Sequence, residues 1–468
     1  IGFEEVFCLS LAALLNKQEN QRVQALVVAF DEALAREFVG HLPFRLTGAH
    51  RSCIWQIYLD MQRAGPMNSL IEGDVGSGKT VVATMAALMV IKAGWQVALM
   101  APTELLARQH AETVHRLLLP MGLADQVGLL VGGLPAAAKR RAQTAIASGQ
   151  TRLMIGTQAL IQEKVNIDKL ALVIVDEQHR FGVDQRKTLQ AKAGHMPHVL
   201  SMTATPIPRS LALTLYGELD ISLLAEKPIG RLPIITQICS PNSRKQLYET
   251  VDGELETGRQ LFVVCPLITD SEVLQVRSAE TVYSELQTSV FRHRRIGLLH
   301  GKLKSAEKAA IMQQFVDHEL DILVSTTVIE VGVDVPNATI MLVEAAERFG
   351  LAQLHQLRGR VGRSQHQGYC YLMLSDSKPP SRRLRALESS GDGFKLAELD
   401  LELRGPGAIY GLQQHGQLDL RVAKLSDTKL IAAARAEAQA IIDSRQDLLQ
   451  YTQLMTNVTR LRTVTNLN

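Results

Sequence analysis

The stretch Leu70–Thr80, LIEGDVGSGKT, decides the fold of the region around it. The apolar residues at its start are typical of a buried strand, and the run Val81–Ile91 that follows is typical of a helix. Between them stands the pattern G-x-x-x-x-G-K-T, whose glycines let the backbone wrap closely around phosphate groups. The N–H groups of such a loop and the positive end of the next helix attract anionic oxygens. The sequence therefore predicts a nucleoside triphosphate site.

The residues of this loop differ in what they contribute. Gly73, Gly76 and Gly78 bring the backbone close to the phosphates. The Lys79 ammonium reaches the β- and γ-phosphates, and the Thr80 hydroxyl ligates Mg²⁺. A chance glycine-rich turn is the alternative, but the strand signal before the pattern and the helix signal after it favour phosphate binding.

The composition is that of an ordinary globular protein with several domains. Its 468 residues are too many for one hydrophobic core, and a typical domain length suggests roughly three units. Apolar residues make up 46% and charged residues 21% of the chain, as is usual for soluble proteins. The formal charge of +3 favours a nucleic-acid partner only weakly, because a basic surface would have to be local.

Cysteine usage and hydropathy indicate the compartment. The five cysteines lie far apart and form no C-x-x-C pair, which excludes a zinc-site pattern and a disulfide framework. The sequence shows no signal peptide and no apolar run of about 18 residues. We expect a reduced, cytoplasmic chain with no membrane partner. Because the chain begins with Ile1 rather than Met, we also expect it to be a fragment.

Periodicity divides the chain into four parts. Residues 1–41 carry apolar residues at helical spacing, which predicts helix throughout and a helical linker remnant; a self-standing helical cap is the alternative. Residues 42–228 and 229–380 each alternate short apolar runs with helical patterns, which indicates an α/β fold with parallel sheets covered by helices. Pro and Gly around residues 228–233 mark a hinge. Residues 381–468 are predicted to form a helical tail.

The apolar runs also place the strands. In the first α/β part they are Ser69–Glu72, Val97–Ala101, Val127–Val131, Leu153–Gly156, Leu172–Val175 and His198–Met202. In the second they are Gln260–Cys265, Arg295–Leu299, Ile322–Ser325, Thr339–Val343 and Gly368–Leu374. Ligand loops belong at the carboxyl ends of such strands, and each motif described below follows an apolar run.

An acidic pair follows the predicted strand Leu172–Val175. Asp176 would hold Mg²⁺ and Glu177 would polarise the attacking water, as nucleoside triphosphate hydrolysis requires. Two surface carboxylates at a strand end are the alternative, but the phosphate loop upstream favours the catalytic interpretation. Ser201–Pro206 ends the next strand with hydroxyl residues that can hydrogen-bond the acidic pair, although such clusters usually make turns.

Arginines cluster in the segment Gln356–Arg363, QLRGRVGR. Arg360 and Arg363 are one helical turn apart and can face the same partner. An arginine delivered from a second domain stabilises the charge that spreads over a transferring γ-phosphoryl group. A solvated basic face is the alternative, which the Gly-Arg-x-Gly-Arg spacing with Gln356 upstream disfavours. We predict Arg360 and Arg363 as catalytic residues, with Lys79 and Glu177.

Seven segments resemble, in chain order, the motifs of superfamily 2 helicases. They are Gly73–Thr80, Ala101–His110, Gly156–Leu160, Asp176–His179, Thr203–Thr205, Thr326–Pro336 and Gln356–Arg363. Two segments are similar to the RecG family of branched-DNA helicases. Asp176–Val183 resembles its extended acidic motif, and Leu401–Gly407 resembles the segment that couples ATP hydrolysis to translocation. The resemblance thus implies that residues 381–468 form a translocation-coupling hairpin and a helical tail. The resemblance covers nearly the whole chain from Leu42 onward.

The resemblance implies two tandem RecA-like parallel-sheet domains with a helical N-terminal connection and a helical C-terminal tail, and ATP with Mg²⁺ as cofactors. It implies that Thr103 and Thr157 contact the DNA backbone, which carries affinity but no sequence information. His179 and Thr203 would link the nucleotide site to DNA movement. It also implies that the second domain completes the nucleotide site through Gly332, Asp334, Arg360 and Arg363. In the tail, Arg404 and Gln414 would couple ATP hydrolysis to translocation.

The family's activity is the ATP-dependent remodelling of stalled forks and Holliday junctions. The resemblance therefore implies branched DNA as partner, a bacterial cytoplasmic location and a monomer, with a single-strand-binding protein as a candidate partner in the cell. The family also carries an N-terminal wedge domain that splits branched DNA. We find no such segment in this sequence, and we expect its ATP hydrolysis to be poorly stimulated and its strand separation to be slight.

Two positions depart from the family's pattern. Its adenine-reading segment usually ends Leu-Thr-x-x-Gln, whereas His50 stands in the glutamine's place. A neutral imidazole also offers one donor and one acceptor, but at a different reach, and we count His50 among the cofactor-binding residues. Downstream of Arg404, Gln413 stands where the family commonly has arginine, while Gln414 matches.

Two other functions stay open. The translocase half of the transcription-repair coupling factor shares this motor, but it more often has Asp-Glu-Glu-Gln-Arg-Phe-Gly where this chain has Gln178 and His179, and Arg-Gly-Ala-Gly where this chain has Pro406. A nucleotide-gated clamp on DNA would not turn over, whereas the catalytic residues predicted above are intact. A metabolic kinase with the same loop is disfavoured, because the arginines of the second domain would have no role there.

Overall fold

The computed structural model describes residues 2–161, 165, 167–177, 196–206, 208, 219–226, 232–266, 272–326, 335–362, 366–404, 427–444 and 448–465. Contacts divide the chain into two compact units. Unit 1 comprises residues 1–73, 77–226 and 397–468, and unit 2 comprises residues 74–76 and 227–396. Each unit is built around a parallel β-sheet.

The sheet of unit 1 has seven strands among the described residues. They are β1 (Asn68–Gly73), β2 (Gln96–Met100), β3 (Val127–Leu130), β4 (Leu153–Gly156), β5 (Leu170–Asp176), β6 (His198–Thr203) and β7 (Asp220–Leu224). Their order is β3-β4-β2-β5-β6-β1-β7, and neighbouring strands pair in parallel. Every residue of β2, β4, β5 and β6 is buried, as expected for a sheet with both faces covered.

Within the described residues, the N-terminal half of the chain contributes six helices to unit 1. They are α1 (Gly2–Gln21), α2 (Glu32–Gly40), α3 (Gly48–Met61), α4 (Lys79–Lys92), α5 (Glu104–Leu118) and α6 (Ala136–Ala147). In α4 the run Val81–Ile91 is buried without interruption, which marks a helix that is covered on all sides. Helices α4 and α5 follow β1 and β2, so both begin at the carboxyl edge of the sheet.

Unit 2 has a six-stranded sheet within its described residues. Its strands are β8 (Ile235–Cys239), β9 (Gln260–Val264), β10 (Ile296–Leu299), β11 (Ile322–Ser325), β12 (Ala338–Val343) and β13 (Tyr369–Met373), in the order β10-β11-β9-β12-β13-β8. Its helices are α7 (Arg244–Glu256), α8 (Glu272–Thr288), α9 (Ser305–Val316), α10 (Leu351–Arg358) and α11 (Arg382–Ser389). The tail contains α12 (Gly393–Arg404), α13 (Thr428–Asp443) and α14 (Thr452–Thr465).

All predicted strands are found close to their predicted bounds, but two observed strands were not predicted. These are β7 and β8, and each lies at one end of its sheet. An edge strand has one unpaired side, and its residues need not all be apolar. The burial of β8 alternates between exposed and half-buried residues before Cys239. Such strands give no continuous apolar run, so the sequence pattern does not reveal them.

The prediction of helix over residues 1–41 is correct for α1 and α2 and wrong for the segment between them. Backbone N–H groups of that segment donate to carbonyls at and just after the end of α3 instead of forming helical hydrogen bonds within the segment. Ala25 N donates to Ala64 O at 2.8 Å, and Val28 N donates to Met61 O at 2.9 Å. Val28 is buried, whereas Val23 and Val27 are exposed, so the segment is anchored through its backbone and one apolar side chain.

Helix α1 is held by the two last helices of the tail. It shares an apolar cluster with α13 and α14 that includes Leu11, Ala438 and Val458. At the other end of the cluster, Arg462 Nε donates to Asn16 Oδ1 at 2.8 Å. None of the described helices combines the length and the apolar content needed to cross a bilayer.

We expect Leu11→Ala to destabilise unit 1 by about 2–5 kcal/mol, because it removes a fully buried side chain and leaves a cavity. Scanning calorimetry of the full chain measures the effect as a lower melting temperature. Leu119→Ala removes the same atoms from a side chain that is 59% exposed and serves as the control. Equal shifts in the two variants would contradict the packing of α1.

Candidate nucleotide-binding site

The phosphate-binding loop lies between β1 and α4. Gly76 and Gly78 have φ angles of 77° and 90°, a left-handed conformation that side chains disfavour. A Cβ on Gly73 would lie 2.5 Å from Ser77 Oγ, so the backbone there has room only for glycine. Lys79 Nζ donates to Gly73 O at 2.7 Å, which folds the lysine back over the loop. This backbone cradle fits a polyphosphate group.

His50 packs against this loop from α3. The helix begins with a capping box, in which Thr47 Oγ1 accepts from His50 N and the imidazole accepts from Thr47 N. The other side of the ring faces the loop, where His50 Nε2 lies 2.7 Å from Ser77 O. The residue is only 2% exposed. The structure thus brings His50 to the phosphate loop, and its predicted binding of nucleotide stays a prediction.

Asp176 ends β5 and is 8% exposed. Its Oδ2 accepts from His110 Nε2 at 2.8 Å, and its Oδ1 accepts from Glu177 N at 3.1 Å. Burial alone would raise the pKa of Asp176, but the hydrogen bond and charge of His110, together with the Lys79 ammonium, hold this pKa below its ordinary value. Asp176 is therefore a carboxylate at neutral pH, as a ligand of Mg²⁺ must be.

Glu177 has a φ angle of 54°, which is unusual for a residue with a side chain. Left-handed backbone of this kind is unfavourable by about 1–3 kcal/mol and persists where the surroundings enforce it, often at functional sites. The conformation turns the chain sharply as it leaves β5. This observation supports the predicted role of Glu177 at the nucleotide site.

Thr203 ends β6, the strand between β5 and β1. Its hydroxyl lies 2.7 Å from Thr205 Oγ1 and accepts from Thr205 N at 3.1 Å. The threonines therefore stabilise their own turn, which lies between the strand of the phosphate loop and the strand of Asp176. The predicted link from Thr203 to DNA movement stays a prediction.

Two hydroxyl residues follow the neighbouring strands β2 and β4. Thr103 caps α5, where its Oγ1 accepts from Leu106 N at 3.4 Å. Thr157 follows β4 and its carbonyl accepts from Leu160 N at 3.0 Å. Both are half-buried at the same edge of the sheet as the phosphate loop. This position is compatible with the predicted contacts to a DNA backbone.

In unit 2, the segment Gln356–Arg363 begins inside α10. Arg358 is buried, and its Nη1 donates to Leu387 O and to Ser390 O, both at 2.7 Å. This arginine joins α10 to the end of α11. Arg360 follows α10 and is buried as well, and its catalytic role stays a prediction.

Comparison with known proteins identifies the family. Three family models match in chain order: DEAD/DEAH box helicase over residues 47–214, helicase conserved C-terminal domain over residues 243–365, and ATP-dependent DNA helicase RecG, domain 3, C-terminal, over residues 390–466. The ATP-dependent DNA helicases RecG of Synechocystis sp. and Aquifex aeolicus are 48% and 46% identical over 94% and 95% of this chain. The chain belongs to the RecG family.

Solved structures agree with this family. A RecG bound to a three-way DNA junction matches with a TM-score of 0.75 at 42% identity, over 92% of this chain and 56% of that chain. The helicase MrfA bound to DNA has a TM-score of 0.58 at 16% identity over 89% of this chain and 62% of that chain, so it shares the fold alone. The predicted fold of two RecA-like units is confirmed. The chain spans about half the length of the RecG proteins named above, 53% and 57%.

Two residues inside the motif segments, His110 and Arg358, make contacts that the sequence does not reveal. His110 closes the segment Ala101–His110 and lies two helical turns beyond Thr103, which is the signal that could have placed it on the inner face of α5. Its partner Asp176 is 66 residues away, and no spacing rule predicts such a contact. Arg358 lies inside the motif Gln356–Arg363, but its carbonyl acceptors belong to Leu387 and Ser390, which are 29 and 32 residues further along the chain.

Several predicted residues lie outside the described residues. They are His179, Gly332, Asp334, Arg363, Gln413 and Gln414. Arg404 is described only as the last residue of α12. The roles assigned to these positions stay predictions.

We expect Gly78→Ala to weaken nucleotide binding by about tenfold or more, because a Cβ is unfavourable at this φ and would lie 2.3 Å from His50 Nε2. Titration with a fluorescent ADP analogue measures the affinity. Gly149→Ala introduces a Cβ at a φ of 76° with no atom within 4 Å, and it should bind nucleotide normally. Normal binding by Gly78→Ala would show that the loop tolerates a side chain there.

Proposed function

We propose that this chain is the ATP-driven motor of a helicase that remodels branched DNA, including stalled forks and Holliday junctions. The observation that carries the proposal is the pairing of the phosphate loop with the buried Asp176 carboxylate at one edge of a RecA-like sheet. Among proteins of this family, a RecG has been solved on a three-way DNA junction. We further propose a monomer in the bacterial cytoplasm, with a single-strand-binding protein as a candidate partner.

In this proposal the loop N–H groups and Lys79 bind the phosphates of ATP. The donor set fits Mg²⁺, because Asp176 is an ionised carboxylate and the hydroxyl residue Thr80 is the second residue of the helix that follows the loop. Mg²⁺, when bound, neutralises charge on the phosphate oxygens. Glu177 orients the attacking water and receives its proton.

The residues of unit 2 and the tail have separate tasks in the same proposal. We assign Arg360 and Arg363 to the charge that develops on the γ-phosphoryl group, and Gly332 and Asp334 to the nucleotide site. His179, Thr203, Arg404 and Gln414 would convert hydrolysis into movement. Thr103 and Thr157 would hold DNA through its phosphates, which predicts binding that weakens steeply with salt and ignores base sequence.

The proposal is tested by ATP hydrolysis with no DNA, with linear duplex and with a synthetic four-way junction. We expect the junction to stimulate hydrolysis most. Lys79→Ala should abolish hydrolysis on every substrate and largely retain DNA binding, because the lysine contacts phosphate and not DNA. Equal stimulation by linear duplex would indicate a duplex translocase of the coupling-factor type. Unchanged turnover in Lys79→Ala would contradict the site.

We expect His110→Ala to raise the Mg²⁺ concentration needed for half-maximal hydrolysis by about 10–100-fold, because groups that orient a metal ligand contribute this much to metal affinity. His110→Gln keeps an N–H donor and should lose less. His115→Ala makes the same change at an exposed position of α5 and is the control. If both His110→Ala and His115→Ala show the wild-type Mg²⁺ dependence, the contact of His110 with Asp176 does not contribute to Mg²⁺ affinity.

A further inference from the structure

The imidazole of His50 has protein partners at both ring nitrogens. Thr47 N donates to Nδ1 at 3.3 Å, and Thr47 Oγ1 lies 2.7 Å from the same nitrogen. Since Nδ1 accepts a backbone N–H, the ring proton is on Nε2, which donates to Ser77 O at 2.7 Å. A neutral imidazole has one donor and one acceptor, and both are used inside the protein. The ring is also buried, so it does not offer an edge to a nucleotide base.

The contact with Ser77 O sets the direction of a loop donor. Ser77 and Gly78 share a trans peptide bond, in which the C=O and the N–H point in opposite directions. When the Ser77 carbonyl points at His50, the Gly78 N–H must point away from His50. Gly78 caps α4 and precedes Lys79, so its N–H belongs to the group of helix N-terminal donors that bind anions.

The ring also fixes the position of this peptide by contact. A Cβ on Gly78 would lie 2.3 Å from His50 Nε2 and 3.2 Å from its Cδ2. The imidazole therefore packs directly against the Gly78 Cα. His50 in turn is held by the first turn of α3 through the capping box. A rigid connection runs from the helix start to the phosphate loop.

We propose that His50 is a positioning residue for the polyphosphate of the nucleotide and makes no contribution to recognition of the base. This inference rests on the proposed nucleotide site. The family reads adenine from this position, whereas His50 orients the Gly78 N–H. This orientation raises the affinity for every ligand with a di- or triphosphate by the same factor. Discrimination between ATP and GTP must then come from other residues.

The test uses two substitutions of His50 in the full chain. In His50→Asn the amide oxygen can replace Nδ1 as acceptor for Thr47 N, but the side chain is too short to reach Ser77 O. In His50→Gln an N–H donor returns near the position of Nε2. Binding of inorganic tripolyphosphate, ATP and GTP, each with Mg²⁺ and without DNA, is measured by competition against a fluorescent ADP analogue. Melting temperatures check that the variants are folded.

We expect His50→Asn to weaken all three ligands by a similar factor of about ten, and His50→Gln to recover most of the loss. Weaker ATP binding with unchanged tripolyphosphate and GTP would overturn the inference, because His50 would then read the base. Unchanged binding of all three would overturn it as well. If His50→Asn fails to fold, His50→Ala decides by the same comparison, because alanine can neither donate to Ser77 O nor hydrogen-bond a base. The assay needs no DNA, so failure of branched-DNA stimulation in the wild type would contradict the proposed function alone.

Discussion

A carboxylate is stable in a protein interior only when donors and positive charge surround it. Asp176 meets this requirement with groups from three parts of unit 1. His110 donates from α5, Glu177 donates from the backbone after β5, and Lys79 supplies positive charge from the start of α4. The contact with His110 joins β5 to α5 in one arrangement, and the charge of Lys79 acts on it from the start of α4. The rest of the site in unit 1 depends on that arrangement.

The phosphate loop consists largely of small residues, so it has few side chains of its own that could fix its backbone. Its neighbours support it instead. Lys79 folds back on Gly73 O, and His50 holds Ser77 O from α3. The backbone is thereby prepared for an anion before a ligand arrives, which reduces the ordering that binding would otherwise require. The same glycines that allow the cradle also admit the imidazole at close range.

Most of the fold could be predicted from the sequence, because buried parallel strands are continuous apolar runs and glycine-rich motifs mark where strands meet helices. The edge strands β7 and β8 could not, since most of their residues are only half-buried or exposed and polar residues interrupt their apolar runs. The segment after α1 could not be predicted either, because its apolar spacing suits a helix, while the backbone partners of Ala25 and Val28 lie 39 and 33 residues away.

In the candidate site, too, local features could be predicted from the sequence and long-range contacts could not. Residue types at the phosphate loop and the acidic pair could be assigned by motif, because the chemistry requires those types at those spacings. The contacts that orient them could not be assigned. His110 reaches Asp176 across 66 residues, and His50 reaches Ser77 across 27. Such contacts depend on the tertiary arrangement of helices over a sheet and leave no local pattern.

The packing of α1 against the tail has a consequence for biosynthesis. Asn16 and Arg462 are 446 positions apart, so α1 leaves the ribosome long before its partners exist. At a translation rate of 5–20 residues per second this delay is roughly 20–90 s. All of unit 2 is translated during that interval and can fold first. The apolar residues that α1 shares with α13 and α14 are not covered by these helices until the tail has been translated.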